Sequence, residues 1–319
     1  MDPDAGDDVV GLTATVHTDR RRTGVAIVLV VVVLAGAALA VYREQHAFLD
    51  SFRRIGLGTM LASYVLGLAG VAATFPVWRQ VLGGLGVDMP WGAGSRVFFV
   101  SQLGKYLPGS VWPVMMQMEA GHNRGAARRT MLVANLASIL ICCCVGLVIG
   151  CLLLPFHDTH ALERYWWALL ALPLLLAVLH PRTMPAVLDR LCALLGRPPL
   201  GERLDGRSEI RASAWSVVSW AALGAHLAIL CASQGHGGLS TFVLATGSMA
   251  FAFSLGVLFI PAPAGAGIRD VVLVLALGVV LTTGQALAVV VASRVILIAC
   301  DLTLAGATAI TRGRLGWSH

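Results

Sequence analysis

Apolar residues fall in runs of about twenty along nearly the whole chain, separated by short stretches in which the arginines gather. A run of that length covers a hydrocarbon core about 30 Å thick at a rise of 1.5 Å per residue. The runs predict spanning helices at Gly24 to Val41, Leu57 to Val77, Met131 to Pro155, Tyr165 to Leu179, Ser213 to Ala232, Phe242 to Ile260, Pro261 to Thr282 and Ala286 to Ile310. The expected fold is all-α: a polytopic membrane helix bundle of about eight transmembrane helices with added re-entrant half-helices.

Two segments interrupt this pattern. In the first, SQLGKYLPGSVWP at residues 101–113 breaks the apolar stretch Ala93 to Gly121, with Arg96 on one side and Arg124, Arg128 and Arg129 on the other. Both flanks are basic, which predicts two half-helices that enter and leave on the same face. Pro108 lacks a backbone donor and turns Leu107 away from the α conformation, and Gly109 permits the reversal. The second segment, SLGVLFIPAPAGAGIRD, runs from Ser254 to Asp270, and Pro261, Pro263, Gly265 and Gly267 exclude a regular helix. A half-helix is expected to restart near Ile268 with free N–H groups that attract anions, and Arg269 sits in its first turn. Irregular backbone at that depth needs protein cover or a wet cavity. Broken helices at corresponding places in two halves point to a transporter binding site at the interface of an inverted repeat. The internal similarity between the two halves is weak.

Composition agrees with the pattern. The chain is 57% hydrophobic and only 13% charged, with mean hydropathy +0.79, against about 25% charged for soluble domains. A water-soluble fold is excluded. Residues 1–19 hold five aspartates and no apolar period, so residues 1–22 are expected to form a disordered cytoplasmic tail, not a cleavable signal. Residues 23–312 would form the transmembrane domain and 313–319 a cytoplasmic C-terminal tail. With both termini inside, 16 Lys and Arg fall on the cytoplasmic side and four outside, as expected for a multi-pass protein of the cell membrane. The net charge of +6 is assigned to topology and anionic lipid headgroups, not to nucleic acid. Ala186 to Leu195, in the longest connection, could form a short amphipathic helix on the inner surface. The seven cysteines lie mostly inside apolar runs without paired metal-ligand spacing, so they read as small packing residues.

The remaining cations, Lys105, Arg269 and Arg294, fall at membrane depth. Lys105 is the single lysine beside 22 arginines. It reads either as a lysine snorkelling to the headgroups or as a point charge for a phosphate or carboxylate. Tyr106 and Trp112 read as interfacial anchors or ligand contacts. Arg269 and Asp270 read as a structural ion pair or as a site for substrate or protons. Arg294 and Asp301 are seven residues apart, on one helical face, and charges there need partners. Asp270 and Glu119 are candidates for Arg294, and Arg269 for Asp301. Asp270, Asp301 and Glu119 are also the candidate proton carriers.

At SQLGKYLPGSVW and FIPAPAGAGIRD the sequence resembles the transmembrane region of the lysylphosphatidylglycerol synthase and flippase family. The first stretch is similar to a glycine-lysine-tyrosine-x-proline-glycine signature, the second to a proline-glycine-rich stretch followed by Arg and an acidic residue. Arg294 falls where the family tends to carry an arginine in its last span. Asp270 stands where the family usually has Glu, and Ala264 and Ala266 interrupt the glycines. The resemblance implies a bundle with re-entrant elements that moves an anionic or phosphate-linked lipid between leaflets. Lys105, Tyr106, Arg269 and Arg294 would hold the headgroup. Members that make aminoacylated lipids carry a soluble synthase domain after the bundle; with His319 as the last residue, none is expected here.

The leading reading is thus a flippase for an anionic phospholipid or polyprenyl-phosphate-linked lipid, working without cofactor or metal. No phosphate-binding GxxxxGK[ST] loop occurs, so active transport would draw on an ion gradient or a partner. The alternatives are a membrane-embedded enzyme on a lipid-linked substrate and a non-transporting scaffold subunit of a cell-envelope complex. For the enzyme, no Ser/His/Asp or histidine-rich constellation is visible, and His157 and His160 read as ordinary loop residues. A homo-oligomer or an envelope-biosynthesis partner is compatible with either.

Overall fold

The computed structural model describes residues 45–106, 112–123, 125–156, 169–194, 204–258 and 267–310. Among these lie eleven α-helices: α1 Gln45–Arg54, α2 Leu57–Gly84, α3 Trp91–Gln102, α4 Trp112–His122, α5 Arg128–Leu153, α6 Ala171–Val178, α7 Met184–Leu194, α8 Gly206–Ala232, α9 Leu239–Leu258, α10 Ile268–Leu277 and α11 Thr283–Ile310. The described residues contain no strand. Five helices, α2, α5, α8, α9 and α11, are long and apolar enough to cross a membrane. They fall on five of the eight expected runs, and the chain is an all-helical, multi-pass membrane protein.

Small residues let these helices approach closely, since lipid tails give apolar side chains no reason to leave them and packing must supply the contact. In the antiparallel α2–α8 pair, a Cβ on Gly70 would lie 2.7 Å from Leu223 and one on Gly84 2.7 Å from Ser208. Gly146 and Gly150 of α5 meet Ser254 and Phe251 of α9, and Gly224 of α8 meets Thr246 of α9. α11 closes the bundle against α2, where Gly67 lies against Cys300 and Leu297. Buried Trp78, Leu82, Met131, Ile141, Leu227, Leu230 and Met249 fill the interior. Leu57, Leu61, Val65, Leu275, Val295 and Leu302 are exposed on the outside, as lipid-facing positions would be.

The helices depart from the apolar runs at their ends. α8 starts seven residues before Ser213 because Asp205 caps it, accepting the Ser208 N–H at 3.3 Å, so a polar first turn precedes the apolar run. α1 lies between the runs Gly24 to Val41 and Leu57 to Val77, where the apolar pattern predicts no spanning helix: Phe48 and Phe52, four residues apart, stack at 5.9 Å, and Ala47 packs on Gly284 of α11. The short helix expected at Ala186 to Leu195 is α7, whose Met184, Leu188 and Cys192 recur every four residues and are buried.

The Pro261 to Thr282 run contains, in its described part, the ten-residue α10, about 15 Å long and half the thickness of a bilayer. It begins one residue after Gly267, near the expected Ile268. Of the Tyr165 to Leu179 run the described part is α6, with no buried side chain. The Gly24 to Val41 run and the tails at 1–22 and 313–319 lie outside the described residues, as do Pro108, Gly109, Pro261, Pro263 and Gly265. The two arms flanking the first break, α3 and α4, lie side by side. α3 tightens into a 3-10 turn, Leu103–Tyr106, and a Cβ on Gly104 would sit 3.1 Å from that of Trp112.

Candidate functional site

Three elements converge on one cluster of charge. The 3-10 turn ending α3 presents Lys105 and Tyr106, the first turn of α10 presents Arg269 and Asp270, and α11 presents Arg294 and Asp301. Asp301 is 4% exposed, and a single oxygen, Oδ2, takes both nearest donors: Lys105 Nζ at 2.7 Å and the Tyr106 hydroxyl at 2.5 Å. The ammonium also stands over the Tyr106 ring, 5.4 Å from its centroid. A compact ammonium at the end of a tight turn can share an oxygen with a neighbouring phenol; a forked guanidinium would crowd it out.

On the other side of the cluster, Arg294 Nη1 pairs with Asp270 Oδ2. The same Asp270 oxygen accepts the Gly267 N–H at 3.3 Å, so it caps α10 and holds Arg294 at once. Gly267 has φ +91°, a conformation that side chains with a Cβ rarely adopt, and this fixes where α10 can begin. Arg269 is 9% exposed, stacks over Phe253 of α9 at 5.1 Å, and its Nε has no hydrogen-bond partner. Asp270, Arg294, Tyr106 and Asp301 all lie within electrostatic range of it. Three cations against two carboxylates leave one positive charge over.

The sequence-level candidates thus divide. Lys105, Tyr106, Arg269, Asp270, Arg294 and Asp301 come together, with Gly267 as the hinge of α10. Arg294 has Asp270, one of its two expected partners. The other, Glu119, lies elsewhere: it is exposed and pairs with Arg128 at 3.0 Å, because it stands near the end of α4 and Arg128 opens the next helix. Asp301 is held by Lys105 and Tyr106, where Arg269 was the expected partner.

Behind the cluster sits a polar thread that no motif announces. His226 of α8 is fully buried, with Nε2 2.8 Å from Ser293 Oγ and Nδ1 2.9 Å from the Ser63 carbonyl oxygen and 2.7 Å from Ser63 Oγ. A carbonyl only accepts, so in the neutral ring Nδ1 carries the hydrogen and Nε2 accepts from Ser293. Ser293 adjoins Arg294, so the thread ties α2 and α8 to the stretch of α11 that carries the site. The one available signal was a lone histidine inside an apolar run. A small cleft of about 120 Å³, lined by Arg96, Val97, Val100, Ser101, Met116 and Ala120, opens between α3 and α4, apart from the cluster. Among the described residues, no three His, Cys, Asp or Glu side chains gather as a metal site would require.

Residues 23–305 match the family described as Lysylphosphatidylglycerol synthase TM region. The chain belongs to that family. Membership ties this bundle to membrane lipids and spans both broken segments and all six clustered residues. No curated protein sequence matches the chain.

Proposed function

We propose that this protein moves an anionic or phosphate-linked lipid between leaflets, with Lys105, Arg269 and Arg294 receiving the headgroup while the acyl or isoprenoid chains stay in the bilayer. The observation that carries the reading is the convergence of three cations and a phenol from two interrupted segments and the last helix, with one positive charge unmatched. Charges in a bilayer are costly, and a cluster this size is hard to explain by structure alone, since one ion pair would have served. The half-helix α10 starts beside the cluster, and its N-terminal dipole favours the same sign of ligand. The arginine-rich ends of the helices face the cytoplasm of a plasma-membrane protein in this reading, as the charge asymmetry requires.

The test is leaflet exchange in liposomes containing the purified chain, read as loss of fluorescence from labelled phosphatidylglycerol or polyprenyl phosphate when a quencher is added outside. Lys105→Ala and Arg269→Ala are expected to slow exchange about tenfold or more, the effect of removing one charge-assisted hydrogen bond of about 1.5–3 kcal/mol. Equal exchange by wild type and both variants would sink the reading.

A further inference from the structure

The five spanning helices contain two acidic residues, Glu209 and Asp301. Asp301 is held by Lys105 and Tyr106. Glu209, the fourth residue of α8, is 1% exposed, and neither carboxylate oxygen has a hydrogen-bond partner. A bare carboxylate cannot rest in such a place, because nothing replaces the water it lost.

Among the described residues, no neighbouring element supplies a counter-charge. On α2, Arg79 pairs with Asp88 at 3.7 Å and stacks over Trp91 at 4.6 Å. On α5, Arg128 pairs with Glu119, and Arg129 lies near Cys192 of α7. α9 carries no charged residue, and Arg294 and Asp301 of α11 belong to the headgroup cluster. Arg207 and Arg211, on α8 itself, are exposed, as is Arg190 of α7, while Asp189 of α7 would repel a second carboxylate. Glu209 also has a short way out. It lies four residues, about 6 Å, from the exposed cap Asp205, on the seam where Ser208 touches Gly84 of α2 and Gly84 O accepts the Asp205 N–H at 3.4 Å.

We infer that Glu209 is a proton-binding site: it holds a proton while the α2–α8 seam is closed and releases it as a carboxylate when the first turn of α8 parts from Gly84 and admits water. The proton goes to and comes from the aqueous side at Asp205, and no other reactant is needed. A site of this kind supplies ion coupling, one of the two energy sources open to active transport by a chain without a nucleotide-binding loop. That purpose rests on the lipid-translocation reading; the protonation itself does not.

The test uses the full chain in liposomes. Infrared difference spectra between acid and alkaline buffer are expected to show a protonated-carboxyl carbonyl band at neutral pH in wild type that is lost in Glu209→Gln and returns, shifted, in Glu209→Asp. An imposed pH gradient is expected to change the rate of labelled-phosphatidylglycerol exchange by wild type, with the response lost in Glu209→Gln. Matched elution and helical content of the variants establish that they fold. An unchanged carboxyl band in Glu209→Gln overturns the inference whatever the lipid assay shows, and so does a gradient response that survives the substitution. Loss of the band without any lipid exchange by wild type sustains the proton site and removes the flippase reading.

Discussion

His226 shows how a side chain with no charge partner can fix a charged site. Its two nitrogens are satisfied by Ser63 and Ser293, which join three helices that meet nowhere near one another in sequence. Removing the Ser293 hydroxyl leaves the buried Nε2 unpaired, and a missing partner of that kind costs about 1–3 kcal/mol. Ser293→Ala is therefore expected to lower thermal stability in detergent by that amount, and Ser63→Ala by a similar or smaller amount because the Ser63 carbonyl remains. A double variant that loses much less than the sum would show that the two bonds act as one unit. No loss in either single variant would mean that the thread is not formed.

At the scale of helices, glycine placement decides which surfaces can touch. A Cβ on Gly224 would lie 2.0 Å from Thr246 Oγ1 and 2.6 Å from the Thr246 Cα, so Gly224→Ala must push α8 off α9. The expected loss is about 1–3 kcal/mol, as for other overpacked contacts. Gly306, in the interior of α11, has nothing within 4 Å of the same position. Gly306→Ala should be neutral or stabilise by roughly 0.5–1 kcal/mol, since alanine gives up less backbone freedom on entering a helix. Melting curves of the two variants decide the matter, and equal behaviour would contradict the packing described. The same scale shows what the sequence could and could not reveal. Five spans and the restart of α10 were legible because long apolar runs and clustered Pro and Gly leave few alternatives. The extra turns of α8 were not, because Arg207, Glu209 and Arg211 end the apolar run while the Asp205 cap lets the helix continue. Nor was the pairing of Lys105 with Asp301 legible, since residues 196 positions apart are joined only by the packing of α3 against α11.

Among the described residues of the whole molecule, the buried Asp, Glu, Lys and Arg side chains are Arg269 and Asp301 of the interior cluster and Glu209 of the α8 seam. All seven cysteines are free thiols, six of them buried. Outside the spanning helices, burial pushes the Cys192 thiol up, Asp189 adds to this, and Arg129 opposes it. Only a thiolate reacts readily, so Cys192 should resist maleimide at neutral pH in the folded protein and react as pH rises or when the chain is unfolded. Mass spectrometry of the labelled peptide reads this directly; rapid labelling under native conditions would show that α7 does not cover its face of the bundle.

The position of Asp301 has a consequence for selectivity. In the lipid-translocation reading proposed above, its Oδ2 already occupies the spot between Lys105 and Tyr106 that a headgroup phosphate would take, so the cluster carries its own tethered competitor. Chloride, a single sphere with no oxygens to offer, gains little by evicting a carboxylate that holds an ammonium and a phenol together. A phosphate brings several oxygens, so in the same reading it would accept from the ammonium and the phenol together and replace the resident without loss of hydrogen bonds. In that reading, a site that only a many-oxygened headgroup unlocks stays closed to small ions.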